Sequence, residues 1–333
     1  MNTLLKLILL FTTIVVFTIS CSNDNFNKAT VNLYRIEDAL LQSDTDFVKL
    51  LNKVRGSIGT NGLGSKVVWS RKNDYNLGLF VSANHVYTIS SWPTLNEGFI
   101  DLATINNGIY TGSKFPSTNG QFSFTNELTA NFGLYHPDIP SNATNTTILP
   151  INDFYLGVID NQKVQETNLG IYPNLVQTSI PMQMYDPYHR SMSNHTWFTA
   201  ETNEIVIAVG YPQDKVTYPN GAVSTGKVYS DEEAENIIQS LQQNSDVEGS
   251  IPYNPEVEFL ANVKAVAGMS GGGIFNSEGQ LLGIMVRSTE LNGEPILRVV
   301  RMSYIVQKLK AYYDSLSTSD KNKIRPFISG ELN

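Results

Sequence analysis

From Lys66 to Val300 the chain is written in short runs rich in β-branched and aromatic residues: "KVVWS", "NLGLFVSA", "HVYTISSW", "EIVIAVGY", "AVSTGKVYS", "QLLGIMV" and "ILRVV". Gly, Asn, Pro and Asp separate them, so each run reads as a strand closed by a turn, and the whole predicts an antiparallel sandwich or barrel. One helix interrupts the pattern. Ser230 and Glu233 stand at capping-box spacing ahead of Ala234, Ile237, Ile238 and Leu241. A last helix, "SYIVQKLKAYYDSL", follows the final strand.

The start of the chain has a different texture. "MNTLLKLILLFTTIVVFTISCSNDN" carries one Lys, then an uncharged apolar stretch from Leu7 to Ile19, too short to span a bilayer and suited to a secretory signal over residues 1–20. Cys21 is the only cysteine, so no intramolecular disulfide and no cysteine-based zinc or redox site is available. Its place after small Ser20 resembles a bacterial lipoprotein box, although Thr18 stands where Leu is usual. The resemblance implies acylation of Cys21 and a place in the cell envelope, lipid-anchored; the alternative is secretion with an incidental cysteine. Residues 21–62 then read as a tether and helical extension, with Leu33, Ile36, Leu40, Phe47, Leu50, Leu51 and Val54 at helical spacing and a break near "QSDTD". Residues 63–333 form the main domain.

A chain of 333 residues, 41% of them hydrophobic, can bury a sizeable core. The formal net charge of −8 argues against a nucleic-acid partner, because such surfaces draw their affinity from clustered Lys and Arg.

Two stretches carry chemistry. "VSANHV" puts His85, one of only four histidines, at the end of an apolar run, where a satisfied core histidine is the bland explanation. "GMSGGGIFNSEGQLLGIMV" puts Ser270 between glycines ahead of two apolar runs, which suits a structural turn as well as a nucleophile beside converging N–H groups. Together they are more specific: "VSANHV" is similar to the histidine motif, and "GMSGGGIFN" to the nucleophile motif, of trypsin-like serine proteases of the chymotrypsin fold. "INDFYLGVID" offers Asp153 ahead of a strand-like run, completing the chain order His, Asp, Ser. "AVGYPQD" adds a weaker likeness to bacterial secreted members such as the glutamyl endopeptidases. In texture the resemblance covers residues 63 to 310.

The resemblance implies an all-β fold of two antiparallel six-stranded β-barrels, and a serine endopeptidase acting on protein or peptide substrates with no cofactor or metal. His85 would be the general base, Asp153 its orienting partner, Ser270 the nucleophile, and the N–H groups of Gly268 and Ser270 the oxyanion hole. Asp138 and Asp160 also lie between His85 and Ser270; Asp138 sits between prolines and Asp160 at the end of its run. His136, His189 and His195 read as loop residues. Counting six residues back from Ser270 places Lys264 at the floor of the primary pocket, with Met285 and Arg287 on its wall. Lysine at the floor would favour acidic side chains; Lys264 turned outward would leave an apolar pocket.

Two positions depart from the family pattern. Met269 stands where Asp or Asn is usual and cannot accept a hydrogen bond from the oxyanion loop; nor can it pair with a newly freed N-terminus as that Asp does in the trypsin branch, which excludes that activation switch. Gly273 replaces a proline. Met269 also keeps open a catalytically silent relative that binds or scaffolds, while Tyr, Asn and Trp abundance suggests a third, glycan-binding lipoprotein.

Overall fold

The structure, a computed structural model, describes residues 32–55, 58–60, 63–72, 77–89, 105–106, 109–110, 131–140, 142–144, 146–160 and 197–328. The signal peptide over 1–20, Cys21, His189 and His195 lie outside the described residues. No helix among the described residues is long and apolar enough to cross a membrane.

The strand-rich pattern resolves into two antiparallel sheets. In chain order the strands are β1 (Tyr34–Arg35), β2 (Ile58–Thr60), β3 (Ser65–Lys72), β4 (Leu77–Ser82), β5 (Ile105–Asn106), β6 (Ile109–Tyr110), β7 (Asn131–Tyr135), β8 (Tyr155–Asp160), β9 (Ile205–Gly210), β10 (Ala222–Lys227), β11 (Glu258–Ala261), β12 (Gly273–Phe275), β13 (Leu281–Leu291) and β14 (Glu294–Arg301). The first sheet runs β2-β3-β4-β8-β7, the second β1-β10-β9-β12-β13-β14-β11, and β5 pairs only with β6. The all-β expectation holds, and two antiparallel sheets with a few helices are consistent with the chymotrypsin-like arrangement. Instead of two six-stranded barrels, the described residues form a five-stranded and a seven-stranded sheet.

Both faces of the larger sheet are buried, which explains why "IVIAV" reads as a continuous apolar run rather than an alternating one. Along β9, Val206 and Ala208 enter a cluster with Phe259, Ile274, Leu282 and Met285. Ile207 and Val209 point the other way, into the main core with Phe80, Val81 and Ile284. Successive side chains of a strand face opposite sides, so one strand serves both cores.

The helices are α1 (Ile36–Ala39), α2 (Thr45–Arg55), α3 (Asp231–Gln243), α4 (Met302–Ser315) and α5 (Thr318–Ile328). The break near "QSDTD" separates α1 from α2 as expected, and α3 opens on the Ser230 capping box, with the Ser230 hydroxyl accepting from the Glu233 N–H. The segment before residue 63 is part of the sheets. β1 pairs with β10, β2 pairs with β3, and Leu51 and Val54 are buried in the main core.

One expected strand is corrected. "HVYTISSW" does not begin as a strand: His85–Ile89 form a wide helical turn. The turn starts where the Val86 N–H donates to the Ala83 carbonyl at 3.2 Å and the His85 N–H donates to Asp153 at 3.0 Å. The Tyr87 ring then stacks on Tyr155 at 4.4 Å. These tertiary contacts outweigh the local β preference of Val, Tyr, Thr and Ile.

Candidate active site

β4 and β8 are antiparallel neighbours with Ser82 opposite Tyr155. The chain leaving β4 therefore meets the chain entering β8, and His85 lands against Asp153. Asp153 is fully buried and His85 is 8% exposed. One carboxylate oxygen accepts the His85 backbone N–H at 3.0 Å, and the two oxygens lie 3.0 and 2.9 Å from Nδ1. A carboxylate holding both the backbone and the ring leaves the imidazole one orientation, with Nδ1 protonated and Nε2 free to accept a proton.

The other two aspartates are elsewhere. Asp160 pairs with Leu77 at the opposite end of the two strands, about 17 Å along the sheet at the usual rise per residue. Asp138 is exposed, in the stretch 136–140 that has no regular structure. Asn84, fully buried, donates to the carbonyls of Pro137 at 3.2 Å and Asn152 at 2.9 Å. It ties the His85 turn to the residue beside Asp153.

Ser270 lies on the loop before β12. The Gly271 N–H donates to the Met285 carbonyl at 2.7 Å, and the Met285 N–H returns to Gly272 at 2.9 Å. Gly271 has φ of +82°, and a Cβ there would stand 2.2 Å from the Ser82 hydroxyl and 2.9 Å from the Ala83 nitrogen. Only glycine lets the Ser270 loop press directly on the two residues ahead of Asn84 and His85. Ser270 is partly exposed, and its carbonyl accepts the Ser65 N–H at 2.7 Å.

Two N–H groups beside Ser270 are set free by their own peptides. The Ala267 carbonyl accepts from the Gln213 N–H and the Met269 carbonyl from the Gly272 N–H, both at 2.8 Å. In a trans peptide the N–H points away from the carbonyl, so pinning these carbonyls turns the N–H groups of Gly268 and Ser270 to the other side. Neither donates to another group among the described residues. Gly268 has φ of +95°, and a Cβ would meet the Gln213 nitrogen at 2.4 Å. Met269 is fully buried in the second apolar cluster, so the residue that departs from the family pattern acts as a core anchor. Gly273 opens β12, paired with Ile284 and Val209.

The three pocket candidates do not gather as a cationic floor. The Lys264 ammonium, on a side chain 42% exposed, reaches outward to Glu290 at 3.6 Å. Arg287 is buried: Nε donates to both oxygens of Glu248 at 2.9 and 2.8 Å, and the terminal nitrogens donate to the carbonyls of Thr146 and Ile148. Met285 is buried in the second cluster. The outward course for Lys264 is the one the structure takes, and the Arg287 charge is neutralised by Glu248.

Sequence reasoning passed over Glu248, Asn84 and Ser65. A signal existed for Arg298: a charge inside the apolar run "ILRVV" has to be paired if it is buried, and Arg298 forms a bidentate pair with Glu258 at 2.7 and 2.8 Å. The Tyr304 hydroxyl, on α4, donates to the Ile151 carbonyl at 3.0 Å, and burial pushes its pKa up to about 12. It stays a donor and holds the turn that carries Asp153. No group of three or more His, Cys, Asp or Glu among the described residues is placed to hold a metal ion.

No family model matches this chain, and no curated protein matches it. Solved structures do. An inactive serine-to-alanine form of Rv3671c from M. tuberculosis H37Rv is 13% identical, covers 81% of this chain and 92% of its own, and has a TM-score of 0.37. The HtrA-type protease AlgW with a decapeptide is 13% identical over 76% of this chain and 52% of its own, at 0.36. The serine protease domain of the Sesbania mosaic virus polyprotein is 11% identical over 76% and 90%, at 0.35.

Proposed function

We propose that this chain is a serine endopeptidase that cleaves peptide bonds by acyl transfer. The observation that carries the reading is the buried Asp153 carboxylate gripping His85 at both its backbone N–H and Nδ1. With Nδ1 protonated and held, Nε2 takes the Ser270 proton as the hydroxyl attacks the scissile carbonyl. The imidazolium, stabilised by Asp153, gives that proton to the leaving amine. The free N–H groups of Gly268 and Ser270 receive the oxyanion of the tetrahedral intermediate, and water repeats the sequence to release the acyl group. Rigid placement of both N–H groups favours an active site over the silent alternative, because Met269, the ground for that alternative, is spent on packing.

The pocket is proposed to take apolar side chains, since Lys264 and Arg287 have acidic partners of their own. Secretion through the 1–20 signal and anchoring through acylated Cys21 belong to the same proposal and rest on the sequence alone. Digestion of a mixed-sequence peptide library tests the activity: cleavage by wild type and none by His85→Ala or Ser270→Ala supports it, while equal cleavage by all three removes it. Preferred Glu or Asp before the cut would return the pocket to the acidic reading.

A further inference from the structure

Ser65 opens β3, is fully buried, and has no part in the chemistry above. Its four polar functions all go to the site. The hydroxyl donates to the Gly268 carbonyl at 2.9 Å and accepts the Tyr211 N–H at 2.8 Å. The backbone N–H donates to the Ser270 carbonyl at 2.7 Å, and the backbone carbonyl accepts the Ser82 hydroxyl at 2.6 Å. One residue of the smaller sheet thus touches the nucleophile loop, the strand leading to His85, and the Tyr211–Gln213 wall beside Gly268.

We infer that Ser65 is the positioning residue of the oxyanion donors, a role that rests on the protease reading above. Gly268 is a pivot: with no Cβ and φ of +95°, its two flanking peptides rotate easily, so the direction of its N–H needs a pin on each side. Gln213 pins the peptide before it through the Ala267 carbonyl. The Ser65 hydroxyl pins the peptide after it through the Gly268 carbonyl, and through Tyr211 it also holds the wall that carries Gln213. Donating and accepting at a single buried atom is what a hydroxyl can do and an alkyl group cannot. The Met269 side chain, packed in the second apolar cluster, has no donor to replace it.

The test compares wild type, Ser65→Ala and Ser65→Thr, each normalised by active-site titration, on the best-cleaved library sequence. That sequence is also prepared as its C-terminal aldehyde, which forms an oxyanion on Ser270, and as its alcohol, which does not. Ser65→Ala is expected to lower kcat about 10²-fold with KM nearly unchanged, and to weaken the aldehyde by a similar factor while leaving the alcohol alone. Ser65→Thr, which keeps the hydroxyl, restores most of the loss. Hydrogen exchange at the Tyr211 amide gives a readout free of turnover: protection falls in Ser65→Ala. Unchanged kcat and aldehyde affinity in Ser65→Ala overturn the assignment, and so does equal weakening of aldehyde and alcohol, which marks a merely structural residue. A wild-type chain that neither cleaves nor binds the aldehyde removes the protease reading itself, and the role of Ser65 with it.

Discussion

Arg55, at the end of α2, is a buried charge whose hydrogen-bonding capacity is mostly unmet, and removing it should stabilise the protein. It is 1% exposed, and neither terminal nitrogen of its guanidinium has a hydrogen-bond partner. Only Nε is satisfied, donating to Asn52 at 3.0 Å. Burial lowers its pKa from 12.5 to about 10, against a weaker upward pull from the Tyr211 phenol. At about 1.4 kcal/mol per pH unit, that displacement is a penalty of roughly 3 kcal/mol on the folded state at neutral pH. Arg55→Met keeps the apolar stem and forfeits the Asn52 bond, worth about 1 kcal/mol, so the net gain is about 2 kcal/mol. Calorimetry should show Tm higher by about 3 °C, from an unfolding entropy of about 2 cal/mol/K per residue over a folded unit of roughly 300 residues. The pH dependence has a definite sign. Because the folded-state value lies below the unfolded one, the penalty is complete below about 10 and fades as pH rises toward the unfolded value, where both states are neutral. The gap between variant and wild type should stay constant from about pH 6 to 9 and narrow above 10. A variant with unchanged or lower Tm refutes the reasoning.

Asp153→Asn should keep the fold, since the amide oxygen still accepts the His85 N–H, but its NH₂ group forces the other imidazole tautomer; kcat should fall by on the order of 10⁴ with an unchanged circular dichroism spectrum. Equal activity would refute the orienting role of Asp153. Glu248→Ala strands the buried Arg287 guanidinium and should cost about 3–5 kcal/mol in urea unfolding, most of it recovered when Arg287→Met is added; a purely additive double variant contradicts the pairing. Cys21→Ser should move the protein from the membrane fraction to the soluble one with its activity unaltered, because stable anchoring takes about two acyl chains. Retention on membranes counts against the lipid anchor.

Where one local signal decides a feature, the sequence revealed it. The capping box at Ser230 and Glu233 marked the start of α3, and "IVIAV" read as a strand, although not as one buried on both faces. His85 and Asp153 were picked out by their likeness to the motifs of trypsin-like serine proteases; that they meet follows from the antiparallel pairing of β4 and β8, which only the fold supplies. The short strands β1 and β2 were not legible, since two or three residues carry no period and are defined by the partners they join. The turn at His85 was misread for a related reason: Asp153 and Tyr155, distant in sequence, decide its course against local preference. Ser65 and Glu248 belong to the same class. A serine after Gly-Leu-Gly and a glutamate before Gly-Ser look like loop residues until the second sheet supplies Gly268 and Arg287.

The central claim is that His85 and Asp153 make Ser270 a nucleophile, and a fluorophosphonate probe tests it most directly because it requires an activated hydroxyl and no knowledge of the substrate. Intact mass and peptide mapping should find one adduct per chain, on Ser270, forming at neutral pH and absent from Ser270→Ala and His85→Ala. A folded wild-type chain that stays unmodified, or one labelled equally when His85 is replaced, would contradict the account.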